Sequence, residues 1–201
     1  SGIRLPAISV TRRIPGLSWE RSRPSLAALA GYRRCFLELP MSETTKRNLP
    51  PGFSVPKQET ERLLIERLQN SKNDEDYFRW LLFVVAFYLG IEKVDSARAL
   101  LQMFLDANPD NDKKAHCHLA LGQIATDEQR LETALHHFLT ALKLSPSRDK
   151  VSYVLHNNTG YCLNQLARHQ EAEQHCRLAL AIDSLRPSAY RNLGISLQGQ
   201  G

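Results

Sequence analysis

Cysteine is scarce in this 201-residue chain: Cys35, Cys117, Cys162 and Cys176 are all it has, and no two of them form a C-x-x-C pair. That excludes a disulfide scaffold and leaves no zinc-finger or thioredoxin-like motif, so reduced thiols in a cytoplasmic setting fit best. Glycine and proline number ten each, too few for a collagen or a low-complexity chain. Long apolar runs are missing too. The most hydrophobic stretch, Trp80 to Ile91, is twelve residues between Arg79 and Glu92, whereas a bilayer span needs about 20. A membrane is therefore not expected as a partner, and this run should instead be a helix buried around most of its circumference.

Charge is unevenly placed. The formal net charge of the chain is +5, and residues 1–40 supply it, with Arg4, Arg12, Arg13, Arg21, Arg23, Arg33 and Arg34 against Glu20 and Glu38. The body beyond is balanced, so a pI of 9.1 does not imply a basic surface there, and nucleic acid is not expected as a partner. The segment 1–40 is rich in Arg, contains Ser, has no Lys or Asp, and stops just before Met41. It reads as sequence upstream of a native start at Met41, as an organelle presequence, or as a partner-binding arm. Residues 41–55, with Pro50 and Pro51 inside them and Pro56 just beyond, should be an irregular polar segment. An N-terminal helix is expected over 56–72, opened by Pro56 and early acids.

Motifs for chemistry are absent. There is no phosphate-binding glycine loop, no nucleophile elbow and no paired carboxylates in a recognisable pattern. All seven histidines fall between His116 and His175. His116 and His118 are two apart and His136 and His137 adjacent, so neither pair shares a helical face as an i, i+4 pair would. His118 and His156 occupy one repeat position and could approach across stacked helices, but Cys117 beside them would point away. The expectation is that these histidines are structural, with no catalytic residue, no metal and no cofactor.

From Ala97 onward the chain repeats itself. Ala97, Leu101, Phe104 and Pro109 are separated by the same steps as Ala134, Phe138, Ala141 and Pro146, and Ala172, Cys176, Ala179 and Ser184 follow as a third copy. Each set marks one face of a helix with a stop signal behind it. Between the copies lie helices with a central glycine at Gly122, Gly160 and Gly194. Glycine inside a helix costs about 1 kcal/mol against alanine, and its recurrence implies that a neighbouring helix packs close. Gly160 and Gly194 are 34 apart, but Gly122 and Gly160 are 38 apart. One helical turn is about 3.6 residues, so the simplest account is a first helix that begins a turn early.

These residues resemble the tetratricopeptide repeat, W-x2-L-G-x2-Y…A-x3-F…P. The best copy keeps Leu121, Gly122, Ala134, Phe138, Ala141 and Pro146, with His118 and Ala125 in place of the two aromatics. The resemblance implies an all-α superhelix of stacked antiparallel helix pairs over 74–201, with pairs at about 74–109, 110–147 and 148–186 and a lone first helix at 187–198. The chain ends at Gly201, so the lone helix is either a cap, with Arg191, Asn192 and Gln198 available for solvent, or, on the preferred reading, the edge of a longer array, which would leave self-association open through the terminal helix.

Members of this family commonly hold an extended peptide on the concave surface lined by first helices. By that resemblance the groove positions are His116, Leu119, Gln123, Asn157, Asn158, Tyr161, Asn164, Ser188, Arg191, Asn192 and Ile195. Asn158 and Asn192 match an asparagine ladder that grips peptide backbone, and neither should anchor the core. The clamp that captures chaperone C-termini is not expected, because only Asn158 matches it. The function implied is a non-enzymatic scaffold or adaptor with a protein or peptide ligand. The alternatives are a dedicated secretion-type chaperone and a regulatory repeat region of a larger enzyme such as a glycosyltransferase.

Overall fold

The computed structural model describes residues 57–107 and 110–201, and all the regular structure among them is helical. The segments 1–40 and 41–55 of the sequence reading lie outside the described residues. The helices are α1 (Lys57–Gln69), α2 (Asp74–Gly90), α3 (Val94–Ala107), α4 (Asn111–Asp127), α5 (Leu131–Lys143), α6 (Asp149–Gln165), α7 (His169–Ile182) and α8 (Pro187–Gln198). They pack in chain order, α2 on α3, α4 on α5 and α6 on α7, with α8 lying against both α6 and α7.

Local chemistry sets the helix ends. Asn73 starts α2 by accepting a hydrogen bond from the Asp76 N–H at 2.8 Å, and Asp110 starts α4 by accepting from the Lys113 N–H at 3.1 Å. Each satisfies a donor that the first turn leaves free. The turns inside the pairs share one device. Glu92, Gln129 and Ala167 have φ of 64°, 60° and 57°, and the next residue donates back across the turn: Lys93 N–H to Tyr88 C=O, Arg130 N–H to Ala125 C=O and Arg168 N–H to Leu163 C=O, each at 2.8 Å. This is the Schellman stop, made three times without the glycine that normally occupies the left-handed position.

The repeated small and large residues form the core. Ala97, Ala134 and Ala172 are fully buried, as are Leu101, Phe138 and Cys176 four residues on. Around Trp80 to Ile91, the side chains of Leu81, Leu82, Val84, Val85 and Leu89 are buried, and among the described residues no helix is long and apolar enough to cross a membrane. That run is the covered centre of the first core cluster, packed with Leu101, Phe104, Cys117 and Ile124.

The irregular spacing has a structural expression. α4 begins at Asn111 and α6 at Asp149, each eleven residues before its glycine, whereas α8 begins at Pro187, seven before Gly194. The extra turn of α4 is tied down: the Asp112 carboxylate accepts from the Ser147 N–H at 2.8 Å, from the loop behind α5. Hydrogen bonds from Ser147 hold the Asp112 carboxyl below its ordinary pKa.

Candidate functional site

The residues offered for a groove lie on α4, α6 and α8. On α4, His116 is half-buried, its ring edge-on to Phe78 of α2 with centroids 5.8 Å apart. Leu119 packs against the second core cluster, and Gln123 is half-buried. On α6, Asn157 and Asn158 are half-buried and adjacent, the Asn157 Nδ2 donating to Asn158 Oδ1 at 3.3 Å. Tyr161 leans on the same cluster as Leu119. On α8, Ser188 Oγ is 2.9 Å from Tyr153 Oη, while Arg191 and Ile195 are exposed.

Asn164 and Asn192 behave differently. Both are 7% exposed. The Asn192 Nδ2 donates to the Asn157 C=O at 3.2 Å and to Asn157 Oδ1 at 3.1 Å. The Asn164 Nδ2 donates to the Asn192 C=O at 2.8 Å, and its Oδ1 accepts from Ser196 Oγ at 2.9 Å. These amides join α6 to α8. The expectation that Asn192 would not anchor the core is therefore corrected: its position against the α6 backbone takes up its donors, and buried amides of this kind are costly to leave unpaired. Asn192→Ala should lower stability by about 1–3 kcal/mol, whereas the half-exposed Asn158→Ala should stay within about 0.5 kcal/mol. Chemical denaturation of the two variants checks this, and an Asn192→Ala midpoint equal to that of the parent chain refutes it.

The histidines are partly buried between helices, in pairs that spacing along one helix does not reveal. His118 and His156 do not turn to each other; each faces a histidine on the second helix of its own pair. His118 Nδ1 is 3.2 Å from His137 Nδ1, joining α4 to α5, and His156 Nδ1 is 3.0 Å from His175 Nδ1, joining α6 to α7. The physical reason is the antiparallel turn, which brings residues 19 apart level with each other on facing helices. All four are half-buried. Burial lowers the pKa of each, carrying His137 and His156 to about 4. The signal was in the sequence as a recurring 19-residue interval, but i, i+4 spacing on one helix does not test for it.

The thiols are packing groups. Cys117, Cys162 and Cys176 are buried and free, and burial pushes Cys117 up to about 12 and Cys162 to about 11. Such thiols are protonated at neutral pH and do not act as nucleophiles.

No family model matches the chain. It is 35% identical over 92 residues to an uncharacterised TPR repeat-containing protein of Arabidopsis thaliana, which covers 42% of this chain and 11% of that protein. It is 30% identical over 80 residues to a protein O-mannosyl-transferase of Caenorhabditis elegans, covering 40% of this chain and 11% of the transferase. The chain thus spans about a tenth of the length of either relative. Among solved structures, the MamA protein matches with a TM-score of 0.55 at 17% identity, over 87% of this chain and 83% of that one. The repeated alanine, phenylalanine and glycine positions, the stacked pairs and these likenesses agree on the fold: the described residues form an all-α superhelix of stacked antiparallel helix pairs, tetratricopeptide-like in architecture.

Proposed function

We propose that the chain is a non-enzymatic interaction scaffold that binds an extended protein segment along the first helices α4 and α6. The observation that carries this reading is that Gln123 on α4 and Asn158 on α6 are half-buried polar side chains on first helices whose buried residues build the core, with Asn157 beside Asn158 already turned to Asn192. An amide side chain donates and accepts at once and so matches a peptide backbone without regard to its sequence. These side chains and the lengthened first turns of α4 and α6 give a ligand a longer rim to lie on. Arg191 and Ser188 on α8 extend the surface, while Asn192 and Asn164 position α6 against α8.

The test is selection of binding peptides from a random library, followed by titration of the enriched peptide. Asn158→Ala should remove about 0.5–1.5 kcal/mol of binding with the melting midpoint unchanged. Unaltered affinity in Asn158→Ala combined with Gln123→Ala sinks the groove reading. A second reading, a repeat region that serves a larger transferase, is favoured by the similarity to the O-mannosyl-transferase. It predicts transferase activity in a longer protein carrying this chain, lost or redirected when the repeats are deleted.

A further inference from the structure

The two facing histidine pairs are unusual because they recur. His118 with His137 and His156 with His175 stand at the same positions of successive helix pairs, with Nδ1–Nδ1 distances of 3.2 and 3.0 Å and nearly the same ring geometry, centroids 5.4 and 5.2 Å apart at 34° and 36°. A hydrogen-bonded Nδ1–Nδ1 pair holds one proton between the two nitrogens: one ring donates its N–H and the other accepts on its lone pair, and a shift of that proton to the outer nitrogen of the donor ring leaves both inner lone pairs available. Two imidazole nitrogens about 2.0–2.1 Å from one divalent d-block ion, at angles between square and tetrahedral, are about 2.9–3.4 Å apart. Both pairs already fall within that bite.

We propose that each pair is a two-nitrogen site for a divalent d-block cation, so that the chain carries two such sites, one clasping α4 to α5 and the other α6 to α7. The ion takes the place of the shared proton, which moves to the outer nitrogen of the same ring, so neutral imidazoles bind without net proton release. Among the described residues no group of three or more His, Cys, Asp or Glu is gathered for a metal, and the remaining coordination positions fall to water. The surroundings differ. Lys114 stands by the first pair, with Arg98 and Arg130 near it but paired with Glu128, whereas the carboxylate Glu171, which also meets Arg168, stands beside His175. The second site therefore binds more tightly. The proposal is independent of the groove reading, since neither pair includes a groove residue.

The experiment is calorimetric titration of the tag-free full chain with Ni2+ at pH 7.5. Two equivalents are expected. His175→Gln should remove the tighter one and His137→Gln the weaker, and His156→Gln and His118→Gln should remove the same two from the opposite helices, with circular dichroism confirming that each variant is folded. His136→Gln and His169→Gln should leave both equivalents in place. No binding by the parent chain, an unchanged stoichiometry in the doubly substituted His137→Gln, His175→Gln chain, or loss that follows His136→Gln or His169→Gln instead overturns the proposal.

Discussion

Phe138→Ala is expected to lower stability by about 3–5 kcal/mol, the largest effect of any single substitution considered for this chain. The ring is 1% exposed and lies on bare backbone: a Cβ at Gly122 would stand 2.4 Å from its Cε1, 2.6 Å from Cδ1 and 2.9 Å from Cζ. The same contact reverses the usual effect of a helical glycine. Alanine normally gains about 1 kcal/mol there, but at Gly122 the methyl overlaps a fixed ring, and overpacking costs about 1–3 kcal/mol. Gly122→Ala should therefore destabilise the parent chain and become stabilising once Phe138→Ala has emptied the site. Such coupling between touching residues is read by a double-mutant cycle.

Gly194 supplies the control. It occupies the same repeat position on α8, yet nothing lies within 4 Å of a Cβ built there, so Gly194→Ala should add about 0.5–1 kcal/mol. Urea denaturation of the four variants checks the set. A stabilising Gly122→Ala in the parent chain would mean that the ring yields, and the close-packing argument would fail.

Stability should also fall as pH drops from about 6.5 to 4. Burial is the main cause that lowers all four paired histidines, and His137 and His156 reach about 4 from an ordinary value near 6.5. Around the first pair His136, Lys114, Arg98 and Arg130 push in the same direction, while Glu171 opposes the shift at His175. In this window the unfolded chain binds more protons than the folded one, so the stabilisation is complete above the unfolded pKa and is lost as pH falls through the folded values. The carboxylates of Asp112, Glu171 and Asp183 are held low, and their own contribution is lost below about pH 4. The measurement is the melting midpoint across pH 4–7.5, compared with His137→Gln, His156→Gln. A flattened slope in the variant is the expected result, and an identical slope would show that the pairs titrate freely.

Repeat architecture was legible because it is written in residue volume at fixed intervals. Ala134, Phe138 and Ala141 announce one helical face, and Gly122 implies the close neighbour that Phe138 proves to be. The irregular 38-residue interval carried its own meaning, since a helix lengthened by one turn keeps the same face inward. The turns were less legible: Gln129 and Ala167 hold left-handed conformations that the sequence reading would have sought at glycine or asparagine, and only the closing hydrogen bonds from Arg130 and Arg168 show why they stop a helix there.

The candidate site divides in the same way. Sequence placed Asn158 and Asn192 at one repeat position, but α8 lies against α6, and that contact takes Asn192 into a hydrogen-bond network while Asn158 stays half-buried. Likewise it showed seven histidines without showing that His118 meets His137 and His156 meets His175. What the sequence determined by itself was the helical period, the repeat length and the small-against-large packing, because each depends on residues close along one helix. What only the tertiary structure decided was which polar side chains are used up between helices and which stay partly exposed, because that depends on how two antiparallel helices come level, and no spacing within either helix records it.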